Sequence, residues 1–163
     1  MSKLPRLAAA LLPALFPLFP LCAAAMDRGG GYGDAGEYFR SDAQYEAWFN
    51  LSRGLVRDFD LICGDTFCEG EYSNIQALRF RCSVHRDDGR IGQCVWVFAA
   101  SQEEIAQASG RIGVQRAFWQ CRTPLLPGTT IDALLQALDV DEPLYAPLPG
   151  TSRTVMDGLI DCL

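Results

Sequence analysis

The sequence predicts an α+β domain: a small antiparallel sheet of three strands, or four, packed against an N-terminal amphipathic helix, with further helices toward the C-terminus and disulfides as staples. Three observations carry this. An aromatic-rich stretch after Ser41 has helical spacing, two alternating segments flank a polar turn at residues 86–90, and six cysteines follow an export signal.

Residues 1–25 read as a cleavable signal peptide. Lys3 and Arg6 precede an apolar run from Leu7 to Leu21, and the small residues Ala23 and Ala25 suit cleavage before Met26. Pro13, Pro17 and Pro20 interrupt the run, which is shorter than the ~20 apolar residues of a spanning helix, so no membrane span is expected after cleavage. Cys22 follows Leu21 rather than a small residue and is expected to leave with the signal peptide instead of carrying a lipid. Cleavage removes Lys3 and Arg6 and no acid, which takes the net charge from −6 to −8. That balance excludes nucleic acid as a partner class and would steer a basic envelope or extracellular protein toward the surface. A periplasmic or secreted location follows.

Residues 26–40 hold Gly29, Gly30, Gly31, Gly33 and Gly36 with almost no apolar periodicity, which predicts a flexible arm ahead of a single domain at 41–163. Ser41 and Gln44 form a capping box. The apolar positions Tyr45, Trp48, Phe49, Leu55, Val56 and Phe59 then recur at helical spacing, with Gly54 as a weak point. An aromatic stripe of this kind is read as core rather than as a ligand platform. Leu78, Phe80, Cys82 and Val84 alternate with Arg79, Arg81, Ser83 and His85, giving a half-buried strand. After the turn at residues 86–90, Ile91 to Ala100 reads as its hairpin partner, with Val95, Val97 and Ala99 alternating against Cys94, Trp96 and Phe98. Ser101 and Glu104 suggest a second capping box, predicting a short helix or ordered loop before Gly110. Strand character returns from Ile112 to Cys121. Thr130 to Leu138 and Ser152 to Leu163 read as helices, separated by Pro143, Pro147 and Pro149.

Six cysteines after a signal peptide favour three disulfides over a metal site, because no C-x-x-C pair occurs and His85 is the single histidine. Cys82 and Cys94 stand equally far from the hairpin turn, which favours a Cys82–Cys94 bridge. Cys63–Cys68 and Cys121–Cys162 complete the expected set, although spacing alone leaves other pairings open.

The densest polar constellation is the segment Cys63 to Tyr72. It offers Asp65, Glu69 and Glu71 as an acidic rim, with Phe67 and Tyr72 as apolar contact area on a loop closed by a local disulfide. The expected function is a secreted or periplasmic binding or inhibitory module that meets its partner through this loop, without cofactor or metal, and not an enzyme. Two alternatives share the same residues: a small glycan hydrolase using paired carboxylates of the loop, and a structural envelope protein whose acids only serve turns. Arg79 and Arg81, with Arg90 and Arg116, could pair with the acidic loop or form a small anion site on the polar face of the hairpin, a solvated sheet face being the more common outcome. A lysine-free mature chain cannot build a P-loop.

Overall fold

The computed structural model of the chain describes residues 30–163; the signal peptide expected at residues 1–25, and residues 26–29, lie outside them. The elements run β1 (Tyr32–Asp34), α1 (Ala35–Tyr38), α2 (Asp42–Cys63), a 3-10 turn (Phe67–Glu69), β2 (Gln76–His85), β3 (Ile91–Ala106), β4 (Arg111–Arg122), α3 (Ile131–Ala137) and α4 (Val155–Ile160). The strands form one antiparallel sheet in the order β1-β2-β3-β4, a plain meander. The domain is α+β, with helices gathered against one face of the sheet.

Helix α2 starts where its capping chemistry places it. The Ser41 hydroxyl accepts from the Gln44 N–H, and the Gln44 side chain accepts in return from the Arg40 N–H. Leu51, Leu55 and Phe59 form its buried stripe, whereas Phe49, expected in the core with Trp48 and Phe59, points away from the sheet and is 59 % exposed. They meet the sheet residues Phe80, Cys82, Val84, Cys94, Trp96 and Phe98, all buried. The Phe59 ring lies 4.9 Å from Phe98 and 5.9 Å from Trp96, and Trp48 stacks on Phe80 at 5.6 Å. Each large apolar side chain fully removed from water contributes ~1.5–3 kcal/mol, so this aromatic block is the main tie between helix and sheet. Gly54 sits where a Cβ would come 2.8 Å from Pro143, so the position that weakens the helix is also the one that lets the C-terminal segment close in.

The C-terminal third completes the same layer. Ile131, Leu134 and Leu138 of the α3 region, with Leu144, Leu148, Val155 and Leu159, join the core. Thr130 caps α3, and a reciprocal Thr154–Asp157 capping box opens α4. Three disulfides close the chain: Cys63–Cys68 at the end of α2, Cys82–Cys94 across β2 and β3, and Cys121–Cys162 between β4 and the C-terminus. No helix among the described residues is long and apolar enough to cross a membrane. The disulfides fit an extracellular or periplasmic protein.

Three expectations need correction. The glycine-rich stretch is ordered from Tyr32 onward: β1 adds a fourth strand to β2 through Gly33↔Val84, and Ala35 and Phe39 are buried. Phe39 packs against Tyr45 and Trp48, a tertiary contact that no local periodicity announces. The segment from Ser101 is not a short helix. β3 continues unbroken to Ala106 because β4 offers a complete partner, and the Ser101 N–H donates to the Asn74 side chain rather than starting a helix. Gly110, at φ +66°, supplies the turn instead of ending a helix. The last helix spans only Val155–Ile160, since the residues before Thr154 are held in turns.

Candidate functional site

The loop singled out by its acids divides in two. Asp65, Glu69 and Glu71 are exposed. Phe67 and Tyr72 instead turn inward: Phe67 stacks on Phe59 at 6.0 Å, and Tyr72 meets Trp119 edge-on at 5.6 Å. The Thr66 hydroxyl and the Asp65 N–H both donate to the Ile62 carbonyl, so α2 unwinds in an orderly turn before the Cys63–Cys68 bridge. The loop therefore presents its acids with little apolar area, because its two half-buried aromatic rings are used to pin it down. Among the described residues no group of three or more His, Cys, Asp or Glu could hold a metal ion. His85 is not freely solvated: its side chain is 17 % exposed, with Nδ1 3.1 Å from the Asp88 carboxylate and Tyr32 edge-on to the ring.

A second surface has both components. The sheet buries only the face of Phe80, Cys82, Trp96 and Phe98; the side chains of the opposite face are exposed or half-buried. The register sets these side chains in rows across three strands. Val95 stands between Arg81 and Arg122, Val97 between Arg79 and Gln120, and Ala99 between Gln76 and Phe118. Strands lie about 4.8 Å apart, so the arginines border an apolar strip about 10 Å across. Farther along β4 come Arg116 opposite Ser101, Val114 opposite Glu103 and Ile112 opposite Ile105. Phe118 is 68 % exposed, and Ile105, Ile112 and Val114 are exposed too.

That last stretch leaves the body of the sheet. β2 pairs with β3 only as far as Ala99, so residues 101–106 and 111–116 continue as a two-stranded ribbon with solvent on both sides. Asn74 braces its base, donating to the Ser101 hydroxyl and accepting from the Ser101 N–H, each at 3.1 Å.

Arg81 is the one arginine of this face with an acidic partner among the described residues, at 2.6 Å from Asp34. Partial burial pushes the Asp34 carboxyl up, but the Gly36 N–H, the Arg81 guanidinium and the charge of Arg79 outweigh it and hold the group below the usual carboxylate range. Arg90, expected beside this group, instead pairs with Asp88 at the hairpin turn. Arg79, Arg116 and Arg122 make no ion pair among the described residues.

Sequence reading placed Arg79 and Arg81 on a polar strand face and named Arg116 with them. It missed Arg122 and Phe118, and the signal that could have found them was the alternation of β4 read against that of β3. Compared with protein-family models, with curated proteins and with solved structures, the chain matches none.

Proposed function

We propose that this domain is a binding module of a periplasmic or extracellular space, and that it meets an anionic partner through the open face of its sheet. One observation carries the reading. In a chain whose net charge is negative, four arginines converge on a single face around exposed apolar side chains, and three of them make no ion pair among the described residues. Apolar area supplies the driving force for association, about 25 cal/mol per Å² removed from water. Guanidinium groups at its border select carboxylate or other anionic chemistry and speed encounter. The acidic loop lacks the first of these components. Its charge repels an anionic ligand from the Asp65 end and leaves the sheet face as the attractive side.

The test compares two baits made from the oxidised mature protein. One carries Arg79→Glu, Arg116→Glu and Arg122→Glu, and the other carries Asp65→Lys, Glu69→Lys and Glu71→Lys. A partner retained from native envelope extract by the wild type and by the loop variant, but lost from the arginine variant, supports the open face. Loss from the loop variant alone returns the contact to the acidic rim.

A further inference from the structure

We infer that the anionic partner binds as an added β-strand: an extended peptide segment with alternating acidic and apolar residues, paired along the free edge of β4. The inference rests on the open-face reading and names the partner class and pairing mode for that same surface.

The sheet has two edges of opposite character. β1 is three residues long, whereas β4 runs for twelve without a proline or a bulge in its register. Natural sheets blunt such edges because unpaired N–H and C=O groups recruit other strands. Just past the end of this strand, the Thr123 N–H donates inward to the Cys94 C=O. That bond also sets the phase. Thr123 faces β3, so in the alternating antiparallel pattern the odd residues of β4 bond β3, while Ile112, Val114, Arg116, Phe118 and Gln120 turn their N–H and C=O groups outward. The close Cα spacing of Cys82 and Cys94, 4.0 Å, fits the same phase on the other side of β3, where a narrow pair is one without mutual hydrogen bonds.

The residues that offer backbone groups at the edge are thus the ones whose side chains stand on the open face. A strand paired there lays alternate side chains beside Gln120, Phe118, Arg116, Val114 and Ile112; at Arg122 the edge is closed by α4, whose Gly158 stands against the Arg122 carbonyl, so the strand's first residue meets the Arg122 guanidinium from beyond the paired stretch. Arg111, Arg116 and Arg122 give β4 three positive charges and no negative one. That disfavours a second copy, whose β4 would bring the same arginines to the same edge. It favours acids facing Arg116 and Arg122, a polar residue facing Gln120, and apolar residues facing Phe118, Val114 and Ile112. Main-chain pairing supplies affinity and the alternate side chains supply specificity.

The probe is the peptide Glu-Thr-Gln-Thr-Val-Thr-Glu-Thr-Val-Thr-Val, labelled at its N-terminus and titrated by fluorescence polarisation with the oxidised mature protein. Saturable binding is expected. N-methylation of the first valine, whose N–H would face β4, should weaken it about tenfold, and N-methylation of the threonine that follows should leave it within about twofold. Arg116→Glu with Arg122→Glu should weaken the peptide and bind a version carrying lysine in place of both glutamates. Equal effects of the two N-methyl groups overturn strand addition; if the arginine variants still weaken the peptide, the open face stands as the contact. No saturable binding likewise overturns strand addition, and the extract capture then judges the open face separately. Concentration-dependent dimerisation of the protein abolished by Arg116→Glu would overturn the choice of occupant in favour of a second copy.

Discussion

Asp58→Ala is expected to lower the unfolding free energy by about 1 to 4 kcal/mol, most of it through one buried amide. Asp58 lies on α2 and is 3 % exposed. Its Oδ2 accepts from the Leu144 N–H at 3.2 Å, and its Oδ1 accepts from Arg57 at 2.7 and 3.1 Å. Removing the carboxylate strands the Leu144 N–H away from water, which costs about 1–3 kcal/mol. The Arg57 side chain is 55 % exposed and returns to solvent, so the ion pair adds only ~0–1 kcal/mol. Asn at the same position keeps an acceptor oxygen and should cost about 1 kcal/mol. Arg57→Gln should cost less than about 1 kcal/mol, although Arg57 also donates to the Asp141 carbonyl. Urea unfolding followed by the fluorescence of Trp48, Trp96 and Trp119 measures all three at constant slope. Equal losses for Asp58→Ala and Arg57→Gln would refute the claim that the buried amide dominates. A loss below about 0.5 kcal/mol for Asp58→Ala, the range of an ordinary surface substitution, would remove it altogether.

Removing the disulfides should follow loop length. Cys121→Ala with Cys162→Ala opens a separation of 41 residues and is expected to cost about 4 kcal/mol, against about 2 kcal/mol for Cys63→Ala with Cys68→Ala at a separation of 5; the reverse order in urea unfolding would contradict the chain-entropy account. Gly158→Ala should lower Tm even though alanine favours helix α4 by about 1 kcal/mol, because the new Cβ would stand 2.5 Å from the Arg122 carbonyl oxygen and 3.1 Å from Pro124; a raised Tm would show that α4 can shift freely. Asp34 has its carboxyl held below the unfolded-state value, so its contribution is present at neutral pH and fades as the pH falls through the depressed folded-state value. The stability gap between wild type and Asp34→Asn should therefore close on acidification below about 4, and a gap that widened there would reverse the sign. Phe118→Ser should leave stability within about 0.5 kcal/mol of wild type while weakening retention of the anionic partner; a clear drop in stability would show the ring to be structural.

Much of the fold was legible because local chemistry and tertiary packing agree over most of the chain. Ser41 and Gln44 marked the start of α2, the alternation of residues 79–85 marked β2, although Leu78, expected on the buried face, is 54 % exposed at a register shift, and the symmetry of Cys82 and Cys94 about the turn placed them on facing strands, where the structure joins them. Disagreement came where a distant partner decided the conformation. Residues 32–34 have too few side chains to show a strand period, and β2 supplies the reason for one. At Ser101 and Glu104 a helical start signal worth about 1 kcal/mol loses to a continuous ladder of strand pairs. Gly54 looked like a defect in α2 until Pro143 came to rest against it.

The proposed contact surface was harder to read for a reason built into β3. Cys94, Trp96 and Phe98 alternate with Val95, Val97 and Ala99, so both faces of the strand are apolar, the pattern of a strand covered on both sides. The helices cover one side only. Valines left half-buried on the other side cost little in a monomer, since apolar atoms make up much of any protein surface. They become informative when charge is arranged around them. The arginines are far apart in sequence, at positions 79, 81, 116 and 122, and β-pairing brings them into adjoining rows. The acids of the 63–72 loop are neighbours in sequence and drew attention for that reason, yet Phe67 and Tyr72 take the apolar area of that loop inward. A contact surface needs apolar area and selective charge in the same place. In this fold they meet on the open sheet face, where the edge of β4 short of Arg122 also leaves its backbone unpaired, and the paired N-methyl peptides separate a partner that uses that backbone from one that uses the side chains alone.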